Sequence, residues 1–177
     1  MSIEATALML KNLDANELRD VLYYDPGTGV FTWRGDTRNF KSGDVAGCAQ
    51  GCDYRRIRIN GTLYKAHRLA WLYMFGRWPV GQLDHINRNK TDNRISNLRE
   101  ASNSQNQANT IARGKSQFKG VSFSSATQKW RAGIKKNGVF KHIGFFKCEV
   151  EAARAYDATA KIVHGRFARP NFKSKEI

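Results

Sequence analysis

The sequence predicts an α+β protein. Three observations predict it: short stretches in which apolar and polar residues alternate, three stretches with helical apolar spacing, and Gly, Pro and Asn clusters that separate them. With 177 residues, 41% hydrophobic and 11% aromatic, the chain can build one domain or two small ones, each with a modest core.

The elements follow in order. Residues 12–23, NLDANELRDVLY, carry apolar residues at helical spacing, and Asp14 with Glu17 three positions on forms a capping-box pattern. DPGTG at 25–29 breaks the chain, and Phe31 and Trp33 beyond it alternate with polar residues as a strand does. YRRIRINGTLYKA, residues 54–66, reads as a hairpin turning at Asn60-Gly61. AHRLAWLYMFG, residues 66–76, reads as a short apolar helix ending at Gly76. His67 and Arg68 near its start either hold a neighbour in place or touch DNA. Residues 109–117 read as a linker. Three short strands follow, KGVSFSS, KWRAGIKK and KHIGFF, and then an alanine-rich helix, CEVEAARAYDATAKIVHG, ending at Gly165.

Charge narrows the function. The formal net charge is +15. Residues 1–60 balance, with eight Lys/Arg and eight Asp/Glu, whereas residues 111–177 hold fifteen against four. Such a balance predicts a polyanion partner, and the absence of a dominant basic amphipathic helix favours a nucleic acid over a membrane surface. No run of eighteen apolar residues is present and the first residues do not read as a signal peptide, so a cytoplasmic protein is expected. Three cysteines, Cys48, Cys52 and Cys148, lack a second ligand pair at finger-like spacing and read as buried or idle thiols.

The informative stretch is LDHINRNKTDNRISNLREASNSQNQANT, residues 83–110, where seven asparagines surround one Asp-His pair. Phosphodiester cleavage needs an attacking water, a base that titrates near neutrality and a cation at the phosphate. His85 suits the base, and Asp84 offers a hard anionic oxygen. An asparagine amide adds a second oxygen, a donor set for Mg²⁺ or Mn²⁺ and not for zinc. Adjacent residues on a strand point to opposite faces, so Asp84 and His85 share a site only where the strand ends or distorts. Asn87, Asn89 and Asn93 read as turn residues that cap backbone and tolerate left-handed geometry.

LDHIN, DNRISNLR and NSQNQAN together resemble the HNH endonuclease family, and the preceding YRRIRINGTLYKAHRLAWLYMFGRWP resembles the same region of phage HNH homing enzymes. The resemblance implies a ββα-metal finger holding one Mg²⁺ or Mn²⁺ ion. It implies His85 as general base, Asp84 as metal ligand and Asn97 as the brace of the loop. It implies a helix ligand at Asn106, with Asn103 and Asn109 as alternatives. Asp92 and Arg94 are expected to brace the loop, with Arg94 open to a phosphate.

Residues 116–172 resemble the plant ethylene-response-factor type of DNA-binding domain, through the strand pattern, AARAYD and the closing NF. That implies a three-stranded antiparallel sheet on one helix, with Lys119, Ser122, Trp130, Arg131, Lys135 and His142 as DNA contacts. Lys141 beside them adds to the basic face, and Trp130 serves equally well in the core. Lys119, Ser122 and His142 stand where the plant domains carry arginines and a tryptophan.

The resulting expectation is a DNA endonuclease with residues 1–110 as the N-terminal region and nuclease domain, 111–117 as linker and 118–177 as the docking domain. Its partner is double-stranded DNA, with no membrane and no small-molecule substrate. It is expected to be a monomer that acts in a bacterial host's cytoplasm if phage-encoded. The competing class is a non-catalytic DNA-binding regulator on the same scaffold.

Overall fold

The computed structural model describes residues 13–36, 38–49, 54–112 and 114–172. The chain divides into two compact units between Glu100 and Ala101. The linker expected at 111–117 lies inside the second unit.

In the first unit, helix α1 (Ala15–Val21) starts on the predicted capping box. The Asp14 carboxylate accepts from the amides of Asn16 and Glu17, each at 2.8 Å, and Glu17 accepts from the Asp14 amide at 3.1 Å. The helix ends two residues earlier than its spacing suggests. Strand β1 (Leu22–Asp25) takes over and pairs antiparallel with β2 (Val30–Trp33), Leu22 opposite Trp33. The pairing buries Leu22, Tyr24 and Phe31 completely or nearly so, and this outweighs the helical pattern of Leu22 and Tyr23.

β3 (Arg56–Ile59) and β4 (Thr62–Lys65) form the expected hairpin. Ile59 faces Thr62 across two residues of positive φ, Asn60 at 47° and Gly61 at 81°, the conformation that favours this dipeptide. Helix α2 (Ala66–Phe75) follows at once and stops on Gly76 in left-handed conformation. β5 (Gln82–His85) comes next, then a loop, a 3₁₀ turn (Ile95–Asn97) and β6 (Leu98–Ala101), which pairs with β5. One core joins these pieces: Leu18, Leu22, Tyr24, Phe31, Ile57, Leu69, Leu72, Leu83 and Leu98.

The second unit opens on helix α3 (Asn103–Ala108), capped by Ser102 with Gln105 in a second capping box. β7 (Val121–Ser124), β8 (Lys129–Lys136) and β9 (Val139–Phe146) form an antiparallel sheet in that order, as expected. Helix α4 (Glu149–His164) lays Ala152, Ala153, Tyr156 and Ala160 on it, against Val121, Ala132 and Ile134. The AARAYD and NF motifs form a clasp. Asp157 accepts from the amides of Asn171 and Phe172, at 2.7 and 2.9 Å, while Asn171 accepts from the Lys119 amide at 2.7 Å. These motif residues therefore hold Asn171 and Phe172 onto the helix and the residue before β7.

Candidate active site

β5 ends at His85, with Asp84 still inside the strand. The chain turns immediately, the Arg88 amide donating to the His85 carbonyl at 2.8 Å. Asp84 and His85 are only 4% and 5% exposed, so both faces of the strand end are covered.

The Asp84 carboxylate meets Arg99, whose Nε and Nη2 donate to its Oδ2 at 2.8 and 2.6 Å. His85 meets Asn93, with Nε2 3.2 Å from the amide Oδ1. An amide oxygen only accepts, so in this arrangement Nε2 carries the proton and the lone pair of the neutral ring sits on Nδ1. Burial pushes the His85 pKa below the ordinary histidine value, against the hydrogen bond to Asn93 and the charges of Asp84 and Asp92. The imidazole is therefore neutral at neutral pH, the form a general base requires.

His67 lies beside it. Its ring centroid is 5.1 Å from that of His85, edge to face, and 4.7 Å from that of Tyr54. Burial, helped by the charges of His85, Lys65 and Arg68, pushes the His67 pKa down to about 3. This histidine is a packed neutral ring and not an exposed DNA contact. Arg68 is half-buried, donates to the Gly81 carbonyl at 3.2 Å and lies 5.8 Å from the Trp78 ring.

The loop after β5 is tied by amides. Asn97 Oδ1 accepts from the Asn87 amide at 2.9 Å, and Asn97 Nδ2 donates to Asn87 Oδ1 at 3.0 Å and the Asp92 carbonyl at 2.8 Å. One side chain thus closes the loop at three points. Arg94 grips Asp92 at 2.8 and 2.6 Å and holds its pKa down at about 2. Asn87 and Asn89 do make the expected turns, each accepting from an amide two residues on. The left-handed residue of this loop, however, is Arg88, at φ 66°.

Asn93 departs from the expectation for a turn residue. It is 1% exposed, holds His85 with its side chain, and accepts from the Tyr24 hydroxyl on its carbonyl at 2.7 Å. The first hairpin therefore supports the site. Ile95 also donates to the Pro26 carbonyl at 3.3 Å, and Gly29 lies flat against the Asn93–Arg94 peptide.

Asn103, Asn106 and Asn109 belong to the second unit. Asn103 is exposed at the start of α3, Asn106 is half-buried within it, and Asn109 is buried at its C-cap. Among the described residues, no three His, Cys, Asp or Glu side chains gather to hold a metal ion. The oxygen donors that the motif does supply, a carboxylate and amides, suit a hard cation with water in its shell. Cys48 and Cys148 are exposed, not buried, and Cys148 caps α4 through its sulfur; Cys52 lies outside the described residues.

On the sheet of the second unit, Arg131, Lys135, Lys141 and His142 are exposed and Ser122, opposite Arg131, is half-buried. Trp130 packs against the core of Val121 and Ala132. The Lys119 ammonium donates to the carbonyls of Gln107 and Ala108 at the end of α3, where the helix dipole favours a cation.

Residues 64–108 match the HNH endonuclease family model. This HNH segment runs from β4 through α3 and contains His67, Asp84, His85, Asn93, Asn97, Arg99 and Asn106. The chain is also 38% identical over 107 residues to a protein of Acanthamoeba polyphaga mimivirus named an uncharacterized HNH endonuclease. The alignment covers 59% of this chain and 56% of that protein, so the chain spans little more than half of its relative's length. No helix among the described residues is long and apolar enough to cross a membrane.

Sequence reasoning missed Arg99, the partner of Asp84, and misread Asn93. Arg99 had a signal in NLR, since the strand after the loop must pair with LDH. Asn93 had none, because an asparagine in a loop looks the same whether it caps a turn or holds a ring.

Proposed function

We propose that the protein is a metal-dependent HNH endonuclease that hydrolyses a phosphodiester bond of double-stranded DNA, of the homing type found in phages. The observation that carries the proposal is His85: buried, neutral, held through Nε2 by Asn93, and adjacent to a buried carboxylate within the HNH segment.

In this reading His85 accepts a proton from the attacking water at Nδ1. The water oxygen bonds to phosphorus, the bond to the leaving 3′ oxygen breaks with its electron pair going to that oxygen, and the oxygen takes a proton from solvent. Asn93 fixes the ring's tautomer and orientation, and Asn97 fixes the loop that carries Asn93. Asp84 and a helix amide, Asn106 before Asn103 or Asn109, are the proposed ligands of one Mg²⁺ or Mn²⁺ ion. Such an ion supplies positive charge to the scissile phosphate. Arg94 is the proposed phosphate contact of the loop, and Arg68 a contact at the foot of α2. The second unit is proposed to dock the DNA in the manner of the ethylene-response-factor domains. Arg131, Ser122, Lys135 and His142 are the proposed contacts on one face of the sheet, and Lys141, Lys119 and Trp130 are proposed contacts beside it. A monomer with one site cuts one strand per visit.

One observation favours a second reading, a DNA-binding regulator without activity: Arg99 already neutralises Asp84. Supercoiled plasmid separates the two. The wild type should relax or linearise it in Mg²⁺ or Mn²⁺ and not in chelator, and His85→Ala should cut about 10²- to 10⁴-fold more slowly. Plasmid that stays supercoiled, on DNA the protein binds, sinks the nuclease reading.

A further inference from the structure

The sheet of β7, β8 and β9 has two faces. α4 covers one of them, packing on Val121, Ala132 and Ile134. The strand register defines the other. Arg131, Gly133 and Lys135 alternate along β8. Arg131 lies opposite Ser122 and Phe145, Gly133 opposite His142, and Lys135 opposite Phe140. An irregularity between Ala132 and Gly133 shifts the pairing, so His142 and Phe145 share this face although they are three apart in β9. Their ring centroids are 4.8 Å apart. Arg131, Lys135, Phe140, His142 and Phe145 are all exposed.

Two phenyl rings stand out on this face. Phe140 is 53% exposed and Phe145 46%. A Cβ on Gly133 would stand 2.1 Å from the Phe140 Cζ and 2.5 Å from its Cε2. The missing side chain at Gly133 is what lets the Phe140 ring reach across to β8, so the ring rests on the sheet while the residue stays half exposed. Cations surround the rings. The Arg131 guanidinium lies 5.6 Å from the Phe140 centroid. Residues 121–146 hold Lys129, Arg131, Lys135, Lys136 and Lys141, and no Asp or Glu. The partner that suits this face offers flat apolar surfaces and negative charge together. In a duplex the base faces are stacked on one another and the grooves show only base edges. Unpaired bases present both a face and a phosphate.

We propose that the open face of this sheet is a stacking platform for unpaired bases of a single DNA strand. Phe140 and Phe145 each take one base, and Arg131 and Lys135 meet the phosphates beside them. The platform rests on the docking role given to this sheet and names the form of DNA that the sheet takes. It does not depend on the chemistry at His85. Every base has a π-face, so such stacking tolerates many sequences.

Fluorescence anisotropy of the full-length protein in chelator tests the platform, with a single-stranded oligonucleotide of about 12 nucleotides and the duplex of the same sequence. At equal salt the wild type should bind the single strand more tightly than the duplex. Phe140→Leu and Phe145→Leu keep an apolar side chain but remove the flat face. Each should weaken single-strand binding about 5- to 100-fold and leave duplex binding within about twofold. Phe140→Trp should keep the wild-type affinity. Phe123→Leu is the control: it removes an equally exposed ring from the face toward α4, beside Trp130, and should change neither affinity. Equal losses on both forms of DNA would assign the rings to groove contact and overturn the platform. So would leucine variants that bind the single strand normally. A wild type that prefers the duplex overturns the platform and leaves the docking role standing, whereas one that binds neither form overturns both. Plasmid cutting by the wild type decides the nuclease reading separately.

Discussion

Gly29 is a point at which the first hairpin presses on the loop that holds His85. It adopts φ +75°, and a Cβ placed on it would stand 2.4 Å from the Arg94 nitrogen, 2.5 Å from the Asn93 carbonyl carbon and 3.0 Å from the Asn93 Cα. These atoms are backbone and cannot rotate away. To restore ordinary contact, the Asn93–Arg94 peptide must retreat by about 1 Å. That peptide is held by Tyr24, and the Asn93 side chain holds His85. Gly29→Ala should therefore cost about 1–2 kcal/mol for left-handed backbone and about 1–3 kcal/mol for overpacking. For a unit of this size that lowers Tm by at least about 8 °C. Plasmid cutting, measured below the new Tm, should fall about 10²-fold, because the base is displaced on the scale at which positioning fails. Gly27→Ala is the matched control in the same turn: its added Cβ meets only Asp25 Oδ1, at 3.3 Å, and it should stay within about 1 kcal/mol of wild type. A Gly29→Ala protein that melts within about 2 °C of wild type and cuts normally would refute the whole line from hairpin to histidine.

Three other outcomes follow from the same geometry. His67 has its pKa pushed down to about 3, so below pH 6.5 the unfolded chain takes up a proton that the native ring refuses. Stability from this group is complete above pH 6.5 and is lost as pH falls toward 3, by at most about 1.4 kcal/mol per pH unit; His67→Phe should melt with a visibly weaker pH dependence than wild type between pH 7 and 5, and parallel curves would exclude the effect. The pKa of His85 is lowered in the same direction, so the acidic limb of the pH–rate profile should turn below the ordinary histidine value, and an inflection above it would contradict the burial argument. Tyr24→Phe removes the donor to a buried carbonyl and should cost about 1–2 kcal/mol in a denaturant melt, a loss that an unchanged midpoint would disprove.

What the sequence made legible was what local chemistry decides. Asn60-Gly61 turns because both residues must take positive φ, Asp14 and Glu17 cap because they are three apart, and α2 stops because Gly76 accepts a left-handed cap. The end of α1 was not legible. Leu22 continues the helical pattern, but it is opposite Trp33 in a hairpin that only the fold brings about. Lys119 reads as one more member of a basic strand, yet its ammonium lies on carbonyls of α3, a placement no strand pattern encodes. In the candidate site the Asp-His pair stood out by residue type, and the Asn97 brace came from the family resemblance. Asn93 and the Arg99–Asp84 pair depend on contacts between elements, and periodicity carries no such information.

The amides of the stretch from 83 to 110 then have a physical explanation that goes beyond loop formation. Asn97 must accept from one backbone amide and donate to two oxygens at once, and no carboxylate does both. An aspartate there would lose both donated bonds and add an anion beside Asp92. Asn93 makes the same case from the other side. It fixes the tautomer of His85 without a charge, whereas a carboxylate in its place would stabilise the imidazolium and raise the pKa that burial has lowered. Neutral amides thus brace the loop and orient the His85 ring while leaving the local field to Asp84, Arg99, Asp92 and Arg94. The expected consequence separates Asn93→Asp from Asn93→Leu. The aspartate should keep the ring in place and move the acidic limb of the pH–rate profile upward, while leucine should free the ring and lower the rate at every pH. Profiles of the same shape in both variants would show that Asn93 acts through packing alone.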